Sequence, residues 1–370
     1  MGNEEKICKV YLLLKDYPSF NLEKAVCNHG FFMMAPNVWD PITKSLNRPL
    51  RLYDNLASVN VTISKPPEYN FLLIQVHGVD NLSYADKEAI LGQVSRMMRL
   101  STKNENDVQQ FQKIHPEAKN VGFGRIFRSP SLFEDAVKTI LLCFCNWENS
   151  LRMARNLCQL QLELSIGLIK VAKPDPQSQK GGYKKRKHDS SSSSSTQTKT
   201  IQQSVGNFPS AEELASVDLE ILEYHCSMGF RASQVHKFAK DVISGKCKLS
   251  HFETYESQKE LHKKLMKING FGYFVSANIS MCLGFYGKVP ADTETIRHLK
   301  EVHKRKKCTK KNFRSMAEAV YKEYAPYQCL AYWFELAKYY EQKLGKLSEL
   351  PSSRYGSVSG SQYGSTINTD

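Results

Sequence analysis

The chain has 370 residues, enough for two ordinary domains with tails. With 41% hydrophobic and 24% charged residues it reads as a soluble globule; no apolar run reaches the ~18 residues of a membrane span, and Met1–Lys6 lacks the apolar core of a signal peptide. Lys and Arg number 51 against 37 acids, a formal charge of +14, which points to a polyanionic partner.

In chain order, residues 8–80 carry strand signals. Cys8–Leu14, Pro49–Tyr53, Val59–Ser64 and Phe71–Val76 are short runs rich in Val, Ile, Leu and Tyr, punctuated by turn formers such as Asn60, Pro66-Pro67 and Gly78. Leu22–Cys27 reads as a short helix between them. From about residue 83 the period becomes helical, with Tyr84–Met98, Phe133–Cys145 and Trp147–Leu162 as helices. The composition then breaks. Pro174, Pro176, Gly181-Gly182, the cluster Lys184-Lys185-Arg186-Lys187 and unbroken Ser190–Ser195 mark a disordered insertion. The cluster reads either as a nuclear localisation signal or as a solvated charge run.

Helices resume at Ser210, which with Glu213 has the spacing of a capping box. Leu219–Met228, closed by Gly229, then Ala232–Ile243, Ser257–Lys267, Gly272–Tyr286, Thr293–His303, Asn312–Tyr324 and Tyr327–Leu344 complete the helical part. The expected organisation is α+β: an N-terminal antiparallel domain over 1–80, a first helical part over 81–169, an insertion over 170–206, a second helical part over 207–346 and a disordered tail over 347–370. Ten cysteines, Cys8 to Cys329, form no CxxC pair, so they read as reduced thiols without zinc or iron–sulfur spacing. No metal and no cofactor are expected.

The most informative stretch is Ile268-Asn269-Gly270-Phe271-Gly272-Tyr273-Phe274, where a helix with apolar Leu261, Leu265 and Ile268 meets Gly-x-Gly and a second helix begins. The glycines allow a turn with positive φ and bare backbone, and the second helix offers unpaired N–H groups to an anion. That is the physics of a helix-hairpin-helix on a DNA phosphate, or of a plain αα-hairpin. About twenty residues on, Val289-Pro290-Ala291-Asp292-Thr293 places an isolated Asp at another helix start. Asp292 suits an N-cap, and its second oxygen suits the stabilisation of a sugar cation as a glycosidic bond breaks.

On Ile268–His298 the chain resembles the HhH-GPD superfamily of DNA glycosylases, closest to the 8-oxoguanine and alkylated-base branch. Gly229-Phe230-Arg231-Ala232 resembles that branch's Gly-Tyr-Arg-Ala turn, and Phe208-Pro209-Ser210 its Phe-Pro-Thr helix start. Phe133–Asn146 resembles its first core helix and residues 8–80 its β domain. Departures are Asn269 for the hairpin Pro, Glu294 where many members have His, and Gln328 where an Arg is frequent.

The resemblance implies double-stranded DNA with a damaged base as partner, Asp292 as the catalytic carboxylate, and phosphate contact by Gly270, Gly272 and Tyr273. Arg231 would meet the orphaned base or a phosphate. Bifunctional members carry a Lys where this chain has Phe274, so a monofunctional glycosylase, with alkylated purine as the favoured substrate, is implied. Phe274 would then wall the base pocket or fill the core; Phe230 or Trp147 would be the wedge or ordinary buried aromatics. The basic run Lys300, Lys304–Lys307 and Lys310-Lys311 reads as added phosphate affinity or a solvated face. The competing function is a catalytically silent DNA-binding or lesion-sensing protein on the same scaffold. The expected protein is a nuclear monomer without membrane association.

Overall fold

The computed structural model describes residues 6–169 and 206–360. Lys184, Lys185, Arg186 and Lys187, and the rest of the expected insertion except Gly206, lie outside them. Five antiparallel strands form one sheet in the order β1-β5-β4-β3-β2: β1 (Ile7–Leu13), β2 (Val38–Asp40), β3 (Ser45–Arg51), β4 (Ser58–Ser64) and β5 (Phe71–His77). Val10 pairs with Ile74, and Ile63 also pairs with Ile74, so alternate apolar residues align on one buried face. Helices α1 (Leu22–Val26) and α2 (Tyr84–Met98) pack on the sheet. The strand expected at Pro49–Tyr53 begins earlier, at Ser45. Pro49 is tolerated because β2 pairs only with Ser45–Asn47, which leaves β3 an edge at that point.

Helices α3 (Thr102–Ile114) and α4 (Pro116–Val121) arise in a stretch without a sequence expectation, each opened by a side-chain cap, from Ser101 and His115. α5 (Leu132–Leu142) stops short of the expected Cys145, because Phe144 takes a left-handed φ of 49°. α6 (Trp147–Ser165) follows. Gly206 lies against α6, where an added Cβ would meet the Cys158 carbonyl. At α7 (Ala211–Ser216) the capping box forms as expected: Ser210 Oγ accepts from Glu213 N, and Glu213 returns a carboxylate oxygen to Ser210 N at 2.7 Å. The helix expected at Leu219–Met228 is instead one π turn, Ile221–His225, ended by positive φ at Ser227 and Gly229. The remaining helices are α8 (Arg231–Ile243), α9 (Leu249–Phe252), α10 (Gln258–Leu265), α11 (Tyr273–Cys282), α12 (Thr293–Glu301), α13 (Phe313–Val320) and α14 (Gln328–Leu344).

The sheet is tied to the helices by a buried ionic cluster. Arg48 of β3 donates to both oxygens of Glu134 on α5, at 3.3 and 2.9 Å, and Lys138 one turn on lies 2.7 Å from the same carboxylate. Burial alone would raise the Glu134 carboxyl, yet the two cations hold it at about 2. Removing one partner of such a cluster costs about 3–5 kcal/mol, so α5 is fixed firmly to β3.

The expected tail is corrected over 347–360, while 361–370 lie outside the described residues. The Ser- and Gly-rich composition pointed to disorder from 347, but Leu347, Leu350 and Tyr355 are buried, and two short 3₁₀ turns carry them. Trp39 Nε1 donates to the Ser348 carbonyl at 2.9 Å, and Trp147 Nε1 donates to the Tyr355 carbonyl at 2.7 Å. Three apolar side chains and two indole donors outweigh the local composition.

Candidate active site and nucleic-acid interface

The hairpin forms where the glycines placed it. Leu261 and Leu265 bury one face of α10, and Phe271 is buried in the turn with its ring 5.1 Å from that of Phe238. Gly270 has φ +84°, and its carbonyl accepts from Gln234, so a side chain there is excluded twice. Gly272 is different. Its φ is an ordinary −84°, it precedes α11 without any side-chain cap, and nothing lies within 4 Å of where a Cβ would sit. α11 therefore begins without a side-chain cap, and the space beside Gly272 is open. Lys263, Lys264 and Lys267 beside it are exposed.

Asp292 begins α12 through a reciprocal box. Its Oδ1 accepts from Thr295 N at 3.1 Å and from Thr295 Oγ1 at 3.3 Å, and its own N–H donates to Thr295 Oγ1 at 3.1 Å. Tyr332 OH, 2.9 Å from that hydroxyl, fixes it from behind. The bonds from Thr295 fall on Oδ1, and the backbone of Glu294 also donates to the carboxylate. Only a narrow face of Asp292 reaches solvent, and the enclosing protein drives its carboxyl up to about 6. Hydrogen bonds from Thr295 oppose that rise and the charge of Glu294 adds to it. Glu294 itself is held by Arg297, at 2.9 and 3.0 Å from Nε, and by Tyr340 OH at 2.7 Å.

The fold that carries this helix start and Asp292 is shared with solved structures. The chain superposes on 3-methyladenine DNA glycosylase from Archaeoglobus fulgidus with a TM-score of 0.58 at 15% identity, covering 90% of this chain and 99% of that one. A structure of MBOgg1 with a low-affinity DNA ligand gives 0.58 at 20% identity, covering 93% and 100%. The 8-oxoguanine glycosylase/lyase of Clostridium acetobutylicum, with double-stranded DNA containing cytosine opposite 8-oxoguanine, gives 0.57 at 15%, covering 92% and 98%. Neither the family models nor the curated protein sequences give a match. The fold is the one these solved DNA glycosylases share.

Within this glycosylase fold α5 packs against α6, α8 and α11, so its C-terminal end is carried beside the hairpin helix. There Arg231 is buried, its Nε donating to the Cys143 carbonyl at 2.8 Å and Nη2 to that of Phe144 at 2.5 Å. It holds this turn from within rather than reaching outward as expected. Burial lifts the Cys143 thiol to about 11; Arg231 lowers it and Asp292 raises it, so these three groups share one neighbourhood.

Phe230 stacks under the Arg231 guanidinium at 4.4 Å and stays 61% exposed. Trp147 is half-buried, with its ring edge against Gly30 and its N–H on Tyr355, so it is an anchor for the tail and not a free wedge. Phe144, which the sequence reading ran through as helix, is 93% exposed on its left-handed backbone. An apolar side chain in the break between two helices, just before the Asn146 cap, was the available signal.

Phe274 is partly buried against the core. The Tyr273 ring lies between Arg314 at 4.8 Å and His262 at 5.5 Å, with its hydroxyl 3.4 Å from Glu318. The Lys304–Lys307 and Lys310-Lys311 run is exposed. A cavity lined by Arg51, Gln93, Glu134 and Phe208 contains none of the predicted site residues.

Proposed function

We propose that the chain is a monofunctional DNA glycosylase that hydrolyses the N-glycosidic bond of a flipped, damaged base in duplex DNA, with alkylated purine as the favoured substrate. The observation that carries this is the geometry of Asp292: a carboxylate oriented by its helix cap, in a site dry enough to lift its carboxyl to about 6. In such a site an ionised carboxylate stabilises an oxocarbenium ion far more than it would in water. The likeness to glycosylases solved with DNA supports duplex DNA as partner. On this reading the α11 N-terminus grips a phosphate, Asp292 opposes the charge of the departing base's sugar and orients water, and exposed Phe144 and Phe230 fill the space of the flipped nucleotide.

The place two residues past Gly272 holds Phe274, which has no amine to attack the sugar. Borohydride should therefore trap no adduct on a processed duplex; a robust covalent complex would make the enzyme bifunctional. The decisive assay is release of free base from duplexes carrying single defined lesions. Lesion binding without release of any base, with Asp292 intact, would favour the silent sensor. Nuclear location is part of the proposal, through Lys184, Lys185, Arg186 and Lys187; a tagged protein with all four changed to Ala should remain cytoplasmic, and unchanged nuclear accumulation would count against it. Among the described residues no helix is long and apolar enough to cross a membrane.

A further inference from the structure

Away from Asp292, the far end of α12 and the turn after it meet α14 around a single carboxylate oxygen. Glu335 Oε2 lies 3.0 Å from His298 Nε2, 2.7 Å from His303 Nε2 and 2.6 Å from the Tyr321 hydroxyl. The same hydroxyl is 3.0 Å from His298 Nε2 and 3.2 Å from His303 Nε2. Two imidazole nitrogens, a carboxylate and a phenol thus converge on one point, and the ligating atoms of the two histidines and Glu335 all lie within 4.8 Å of one another. Three polar groups thus crowd one carboxylate oxygen. A cation resolves that crowding, because each imidazole then presents a lone pair instead of a proton.

We propose that His298, His303 and Glu335 form a binding site for a divalent transition-metal ion. Zinc fits the donor set best, since neutral imidazole with one carboxylate favours it over magnesium or calcium. A tetrahedral ion with ligands at about 2.0–2.2 Å needs donor atoms roughly 3.3–3.6 Å apart, so Glu335 Oε2 has to draw back from the two imidazole nitrogens, now at 3.0 and 2.7 Å. His298 is fully buried, while His303 and Glu335 are each about one-fifth exposed, which gives the ion a path from solvent. Tyr321 stands at the fourth position as ligand or as partner of a bound water. The histidines and Glu335 are too widely spaced along the chain to form a sequence motif. His303 immediately precedes Lys304–Lys307, so the ion fastens the start of that basic run to α14.

The test uses the full chain, freed of metal by chelation. Titration with Zn²⁺ should show one equivalent bound and a rise in the thermal midpoint; Co²⁺ should give the visible bands of a tetrahedral site. His303→Ala and Glu335→Gln, at partly exposed positions, should weaken binding by roughly a hundredfold, at or beyond the top of the range for outer-shell losses. X-ray absorption of the zinc-loaded wild type gives a second readout that needs no variant. A shell of nitrogen and oxygen at about 2.0–2.2 Å is expected, whereas sulfur at about 2.3 Å would assign the metal to cysteines and overturn the site. No bound equivalent in the wild type, or equal affinity in both variants, would overturn it as well. None of these readouts depends on base excision, so the site and the glycosylase reading can fail separately.

Discussion

α11 and α12 begin in opposite ways. α11 starts at Gly272 with no side-chain cap and open space where a Gly272 Cβ would sit. α12 starts at Asp292 with a complete reciprocal box, backed by Tyr332 and closed in by protein. Both ends carry the same positive dipole. On the proposed function one leaves it for an anion from outside, whereas the other supplies its own anion and encloses it. The same physics of unsatisfied N–H groups thus yields a binding element in one place and a strained carboxylate in the other. On the proposed function that poor solvation has a use, because a carboxylate poorly solvated in the ground state gains most when a cation forms beside it.

Asp292→Asn gives the largest expected effect. The amide retains shape and cap, so duplex binding should persist or tighten slightly, while base release should fall by roughly 10²–10³, about 3–4 kcal/mol of transition-state stabilisation. Because the group must be ionised to act, release by the wild type should climb about tenfold per pH unit below its pKa of about 6 and level off above it. Wild-type rates in the Asn variant, or a flat profile through that range, would leave Asp292 as a cap alone.

The same substitution should stabilise the fold. Asp292 binds its proton more tightly in the native state, near 6, than in an unfolded chain, near 3.9. The carboxylate therefore costs nothing below about pH 4, and its penalty grows as the pH rises through 6. At about pH 7.5 Asp292→Asn should gain on the order of 2 kcal/mol in denaturant unfolding, with the gain vanishing near pH 4. Equal stability at both pH values would mean that the site is wetter than its enclosure implies.

At the other helix start, Gly272→Glu places a carboxylate where the phosphate would sit. The backbone there suits any residue and the space is open, so folding should be preserved while duplex affinity drops about tenfold. Gly270→Ala should behave in the reverse sense, losing about 1 kcal/mol of stability at its positive φ and displacing Gln234. Filter binding alongside thermal unfolding separates the two. Loss of fold in Gly272→Glu would show that the open space is structural.

Much of this contrast was legible in the sequence. Gly-x-Gly between two helical patterns and a lone Asp at a helix start are local signals, and both features sit where those signals put them. The sheet was legible for the same reason, since alternation is local. Less legible were positions settled by distant partners. Arg231 reads as an exposed cation but is buried by carbonyls at the end of α5. Leu347, Leu350 and Tyr355 are scattered among Ser and Gly, and only the indoles of Trp39 and Trp147 show what orders them. The end of α5 at Leu142 depends on a left-handed Phe144, which no propensity favours.

The smallest effects divide the two aromatics on either side of Cys145. Trp147 contributes its N–H to the Tyr355 carbonyl and its ring to the Gly30 turn, both inside the protein. Trp147→Phe keeps the apolar contact and leaves one carbonyl without its donor, so stability should fall by about 1 kcal/mol with base release per folded molecule unchanged. Phe144 has almost no contact to lose at 93% exposure, and its left-handed backbone gains nothing from the ring. Phe144→Ala should therefore leave the unfolding midpoint where it is and slow excision, more for a paired lesion than for one in a mismatch, where the base is already loosely stacked. An unfolding loss in Phe144→Ala, or an excision loss in Trp147→Phe at full folding, would exchange the two assignments and return Trp147 to the DNA.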